Sequence, residues 1–193
     1  SICLVTPIVE INFLPNDWSP NITNKLIVCG SFIWTPKRLN LQRLLSSKSL
    51  SELEEKGMEL MIIGRAKNKE IVKGNKIKGV FVSGEVKSVE PFYKEAALAI
   101  VPELAGGGFK LKIAEAVQHN LPIVAIKGAV TDLEMKDGIH YIEVDSYEDL
   151  ITEAIDLLND KEKVKKLVNN ANLLFKSKYS LKENSNRIQK IIK

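Results

Sequence analysis

Cysteine is almost missing from this chain, with two residues in 193. Cys3 and Cys29 sit inside apolar runs, ICLV and LIVCG, at a spacing that matches neither a metal knuckle nor a redox pair. Each reads as a small buried hydrophobe, and a reducing, cytoplasmic setting is the expectation. Arginine is also scarce. Only Arg38, Arg43, Arg65 and Arg187 stand among the 28 basic residues, and the lysines alternate with 24 acids along the chain. Nucleic-acid readers concentrate arginine for bidentate contacts, so the net charge of +4 reads as a solubility surface and no nucleic-acid partner is expected. The longest apolar runs fall far short of the roughly 20 residues a membrane span requires. The opening run SICLVTPIVE has no charged leader and no small-residue cleavage site, so no signal peptide is read. It starts abruptly with a strand-like pattern, as in a chain cut from something longer.

What is present is an ordinary globular composition, 45% hydrophobic and 27% charged, in a length that supports a full core without staples. Short apolar runs alternate with helical spacing. Strands are predicted at Lys25–Cys29, Leu60–Ile63, Gly79–Val82, Leu98–Val101, Pro122–Ala125 and His140–Val144. Each is a near-continuous hydrophobic run, as expected for strands covered on both faces of a parallel sheet. Val89, Phe92, Tyr93, Ala96 and Ala97 form one helical stripe, and Tyr147, Leu150, Ile151, Ala154, Leu157 and Leu158 another. Two closing helices follow, one through Val164, Leu167, Val168, Ala171, Leu174 and Phe175, the second from Leu181. Ser146 with Asp149, and Ser180 with Glu183, read as helix-start boxes. The expected fold is α/β, a Rossmann-like parallel sheet flanked by helices. It forms one domain over residues 1–193, with a βα core over 25–160 and closing helices over 161–193.

Ligands of open parallel sheets bind beyond the carboxyl ends of the strands. The residues there are Gly30-Ser31-Phe32, Gly64-Arg65, Ser83-Gly84-Glu85, Pro102-Glu103 and Ile126-Lys127-Gly128. Glycine at these points serves either a ligand or an ordinary turn, and the sequence does not separate the two. The informative segment is PELAGGGFKLKIAEAVQHNLPIVA. Gly106, Gly107 and Gly108 run into a helix predicted to begin near Phe109 or Lys110, and such an end can hold a phosphate. Lys110 and Lys112 add positive charge. Glu115 stands where a carboxylate could accept sugar or ribose hydroxyls, although spacing alone favours a solvated helix-face acid. Glu103 likewise reads more simply as a solvated loop carboxylate. The segment lacks the third glycine and acidic partner of a dinucleotide site and the Gly-Lys-Ser/Thr ending of a P-loop.

GGGFKLKIAEAVQHNLPIVA resembles the signature of the C-terminal, donor-binding domain of GT-B glycosyltransferases, of the glycosyltransferase family 4 (group 1) type. One branch of that group carries Gly-Gly-Gly-x-Arg-x-Lys-x-x-Glu-Ala followed by Pro-Val-Val-Ala. LIVCGSFIWTPKRLN, MELMIIGRA, VFVSGEVKSVEPFYKEAALAIVPE and DLEMKDGIHYIEVDSYEDLITEAIDLLND resemble its other landmarks in order, so the similarity runs from about Leu26 to the end. The resemblance implies transfer of a sugar from a nucleotide-diphosphate sugar, UDP- or GDP-linked, to an acceptor glycan, lipid or small molecule. Configuration would be retained, with no cofactor and no metal. The acceptor domain would be absent from this chain, leaving it inactive alone, in a cytoplasmic setting with the inner membrane face open to the full-length enzyme. Glu115 would hold the ribose hydroxyls and Lys37 would neutralise phosphate; these two are the catalytic candidates. Gly106, Gly107, Gly108 and the N–H groups of Phe109, Lys110 and Leu111 would face the diphosphate, with Gly30 and Ser31 beside them. Arg65, Gly84 and Glu85 would lie toward base and ribose.

Several positions depart from the pattern. The second motif glutamate is Gly107, Ser31 takes a common arginine position, and Lys110 replaces a frequent arginine. Asn120 stands where the family has glycine, as a left-handed helix end tolerates. His119 reads as a helix-end residue. Two alternatives carry the same architecture: a non-catalytic binding or scaffold domain, and a sugar-nucleotide 2-epimerase, for which His119 and His140 are the only histidines.

Overall fold

The computed structural model describes residues 23–104, 110–131 and 133–180, with 185 and 189. Strands β1 to β6 are Lys25–Cys29, Glu59–Ile63, Val80–Gly84, Leu98–Val101, Ile123–Ile126 and Ile142–Val144. They form one sheet in the order β3-β2-β1-β4-β5-β6, with every pairing parallel. The fold class is therefore the Rossmann-like one that the sequence predicts. β4 and β5 are buried along their whole lengths, because helices cover both faces. β3 lies at an edge and alternates instead, with Val80 and Val82 buried and Phe81 exposed.

Helices α1 to α7 span Thr35–Leu44, Ser51–Glu55, Asn68–Gly74, Glu90–Glu95, Leu111–Gln118, Tyr147–Asn159 and Lys161–Tyr179. Asp160 alone separates the last two, and α7 packs on α5 and α6. Ser146 caps α6, its hydroxyl accepting from the Asp149 amide at 3.1 Å. The Glu183 half of the second box and the helix predicted from Leu181 lie outside the described residues, as do Cys3 and the opening run.

Several boundaries differ from the sequence expectation. β3 reaches Gly84, because its register shifts between Ile62 and Ile63 and the Gly64 amide donates to the Gly84 carbonyl. Ser83 and Gly84 thus belong to the strand rather than to a turn. β6 starts only at Ile142, since His140 lies in a turn bonded back to Lys136. α4 stops at Glu95, where Ala96 becomes extended and the Ala97 amide joins the Lys25 carbonyl. Helices α1, α2 and α3 have no counterpart in the stripes read from sequence. α2 buries a single side chain, Leu53, and α1 buries Asn40 beside its leucines, so neither shows a clean apolar period.

Asn120 closes α5 with φ +56°, the conformation glycine would otherwise supply. Its Oδ1 accepts from Asn172 Nδ2 of α7 at 2.8 Å, so one residue both ends the helix and anchors the closing one. Asn120→Ala should cost about 2 kcal/mol through left-handed strain and the lost bond. Asn120→Gly should cost roughly half of that, because only the bond is lost. Urea midpoints of the three proteins check the order.

Candidate functional site

Strand order reverses between β1 and β4, and a cleft of about 490 Å³ opens at their carboxyl ends. Two features make the room. Gly30 has no side chain, and a Cβ there would overlap the Lys112 amine. Gly64 sits at φ +125°, backbone against backbone on the Gly30 carbonyl. The Gly30 amide bonds the Ile63 carbonyl at 2.9 Å and the Phe32 amide bonds the Arg65 carbonyl at 2.7 Å, so the two loops are fastened together past their strands.

The cleft brings together Gly30, Ser31, Lys37, Arg65, Glu85, Lys110, Leu111 and Glu115 of the predicted set. Gly84 does not line it; that glycine ends β3 at φ +72° and supports the Gly64 turn through its carbonyl. Gly106, Gly107, Gly108 and Phe109 lie outside the described residues. Helix α5 begins at Leu111, one or two residues beyond the predicted start, and its N-cap Lys110 makes no side-chain capping bond. Ile113, Ala114, Ala116 and Val117 are buried on the core side of α5, which leaves Glu115 on the cleft wall.

Three residues matter more than their sequence context suggests. Glu103 is not solvated: its side chain is only 14% exposed, ion-paired to Lys112 through Oε1 and 4.0 Å from Lys37 through Oε2. Its position at the end of β4, opposite the bare Gly30, was the available signal. Lys112 also stands 5.5 Å over the Phe32 ring. Burial holds its amine below the usual lysine value, while the Glu103 carboxylate pulls it back up. Tyr93, read only as part of an apolar stripe, donates its hydroxyl to Glu115 Oε2 at 3.1 Å. A buried tyrosine hydroxyl requires a partner, which was the signal for it. Cys29 lines the cleft as a half-buried free thiol, and burial pushes its pKa up. Arg65 and Glu85 pair at 3.4 Å on the exposed rim. His119 caps the end of α5, as expected, and reaches Glu90 at 3.0 Å.

Chemically the cleft combines four cationic side chains with three carboxylates, of which Glu103 pairs with Lys112 and approaches Lys37, and Glu85 pairs with Arg65. Lys37, Lys110, Lys112 and Arg65 face it with the first turn of α5, and Glu115 stands one turn along. Among the described residues no group of three or more His, Cys, Asp and Glu side chains comes together to hold a metal. No described helix is long and apolar enough to cross a membrane.

The structure is similar to several solved ones. TarM from S. aureus superposes with a TM-score of 0.72 at 17% identity, covering 96% of this chain and 37% of TarM. Anabaena HepE, solved with UDP and glucose, gives 0.66 at 14%, covering 88% of this chain and 48% of HepE. The C-terminal domain of a group 1 glycosyl transferase, LpcC from Francisella tularensis, gives 0.64 at 15%, covering 84% of this chain and 89% of that domain. The chain thus spans less than half the length of TarM and HepE. These likenesses establish the GT-B type of Rossmann-like fold. No curated protein sequence matches the chain significantly. The family described as glycosyl transferases group 1 matches residues 23–160, well over half of the sequence. The chain belongs to the group 1 glycosyl transferases.

Proposed function

We propose that this chain is the donor-binding domain of a retaining glycosyltransferase of the family 4 type, which moves a hexose from a UDP- or GDP-sugar to an acceptor. One observation carries the reading: the start of α5, the lysine cluster and Glu115 all face one cleft at the switch point of the sheet. The diphosphate would lie against the N–H groups of Lys110 and Leu111 at the start of α5, with Lys37 and Lys112 beside it, and the resemblance assigns Gly106–Gly108 to the same diphosphate. Glu115 would take the ribose hydroxyls, and Arg65 and Glu85 would flank the base.

The chemistry asks for stabilisation of a departing nucleoside diphosphate. As the bond from the sugar C1 to the phosphate oxygen breaks, negative charge gathers on the diphosphate, where fixed cations and helix N–H groups are already aimed. The UDP complexes of HepE and TarM support a uridine nucleotide as one donor form. Acceptor recognition is assigned to a second domain outside these residues, in keeping with the greater length of TarM and HepE. The 193 residues are taken as one unit, able to bind donor but not to turn it over, in the cytoplasm or at the inner membrane face.

Isothermal titration with UDP, GDP and their sugars tests this. A nucleoside diphosphate should bind, and Glu115→Gln should weaken it about tenfold, the worth of a charge-assisted hydrogen bond pair. Lys37→Ala should weaken the diphosphate more than the monophosphate. If none of these ligands binds the intact chain, the reading fails.

A further inference from the structure

We propose that Tyr93 is a positioning residue, fixing the Glu115 carboxylate in the orientation that receives the ribose hydroxyls of the donor. The inference rests on the nucleotide-sugar reading of the cleft and adds a residue that never touches the ligand.

Tyr93 is 3% exposed, so its hydroxyl needs a partner inside the protein. It donates to Glu115 Oε2 at 3.1 Å, across the gap between α4 and α5. The ring itself has no freedom. It stacks flat on the His119 imidazole, with centroids 4.9 Å apart and planes 2° from parallel. His119 Nε2 is in turn held 3.0 Å from Glu90 Oε2. Glu90 and Tyr93 are three apart on α4, and Glu115 and His119 are four apart across the end of α5, so each pair shares a helix face. Two facing pairs interlock, and the hydroxyl position follows from the stack.

Burial, together with Cys29 and Glu115, pushes the tyrosine pKa well above its usual value. The hydroxyl is thereby favoured in its protonated form, the form that donates to Glu115 Oε2. A carboxylate has about four acceptor sites, so one bond from Tyr93 leaves it able to grip a ribose diol. Without that bond Glu115 is a long side chain that must be ordered at the moment of binding, which weakens the grip.

The test compares Tyr93→Phe with wild type by titration against UDP and GDP, their 2′-deoxy counterparts, and inorganic pyrophosphate. Phenylalanine keeps the stack and removes only the hydroxyl. The preference for ribose over deoxyribose should fall about five- to tenfold, with pyrophosphate affinity unchanged, and Tyr93→Phe should cause no further loss when placed on Glu115→Gln. Should Tyr93→Phe not fold, His119→Leu, which loosens the ring without touching the hydroxyl, should lower the same preference. An unchanged ribose preference, with wild type still discriminating, overturns the role of Tyr93 and leaves the donor site standing. A wild type that binds neither diphosphate, or binds ribose and deoxyribose forms equally, overturns both.

Discussion

Gly64→Ala is expected to destabilise the protein by at least about 3 kcal/mol and to abolish ligand binding in the cleft. Two separate effects add at this position. The residue sits at φ +125°, which side-chain-bearing residues adopt only under strain. A Cβ would also meet the Gly30 carbonyl, backbone that is pinned on both sides by the Gly30–Ile63 and Phe32–Arg65 bonds. Gly30→Ala offers the control. Its added methyl meets the end of the Lys112 side chain and Glu103 Oε1 rather than backbone, so the cost should be about 2 kcal/mol, that of loosening the Lys112–Glu103 pair, and below that of Gly64→Ala. Lys112 would be pushed off Glu103. Thermal or urea unfolding of the two variants should thus separate, while both lose affinity for a nucleoside diphosphate. Equal stabilities would mean that the Gly64–Gly30 approach does not constrain the fold.

Glu103→Gln should cost about 2 kcal/mol at neutral pH, because it removes the counter-charge of a mostly buried lysine. Lys112 is 22% exposed on its side chain, so the figure lies below that for a fully enclosed pair. The pH dependence gives the sign. Burial already holds the Lys112 amine below its unfolded value of 10.5, and Glu103 supplies both of the larger opposing influences. With glutamine there, the folded pKa drops further. Between that lowered value and 10.5 the unfolded chain binds more protons than the folded one, so stability rises with pH across that window. The rise should extend over a wider pH range for Glu103→Gln than for wild type, and be absent for Lys112→Met. Unfolding free energies measured from pH 7 to 10 distinguish the three. A Glu103→Gln protein as stable as wild type across that range would show that Lys112 is hydrated rather than paired.

Glu103 also tempers the charge of the cleft. It pairs with Lys112 and lies 4.0 Å from Lys37, two of the cations facing the cleft, and its charge opposes the effect of burial on the Lys112 amine.

Where the chain was legible in sequence, continuous burial made it so. β1, β4 and β5 carry uninterrupted apolar runs, and each was placed to within one residue. α6 announced itself through both its stripe and its Ser146 cap. Short elements were silent: α2 and α3 bury too few residues to show a period, and their positions are dictated by the strands they connect. In the cleft, side chains set by local spacing were found, such as Glu115 on its helix and Arg65 after its strand. The residues that escaped depend on long-range neighbours. Glu103 becomes an ion-pair centre only because β1 lies beside β4 and Gly30 leaves space there. Tyr93 becomes a partner of Glu115 only because α4 and α5 meet on the same face of the sheet.

A crystal structure of this chain soaked with the more tightly bound of UDP and GDP tests the central claim most directly. The diphosphate should lie within about 3 Å of the Lys37 and Lys112 amines and the first N–H groups of α5, with ribose hydroxyls on Glu115. A nucleotide bound elsewhere at saturating concentration, with the cleft between β1 and β4 left empty, would contradict it.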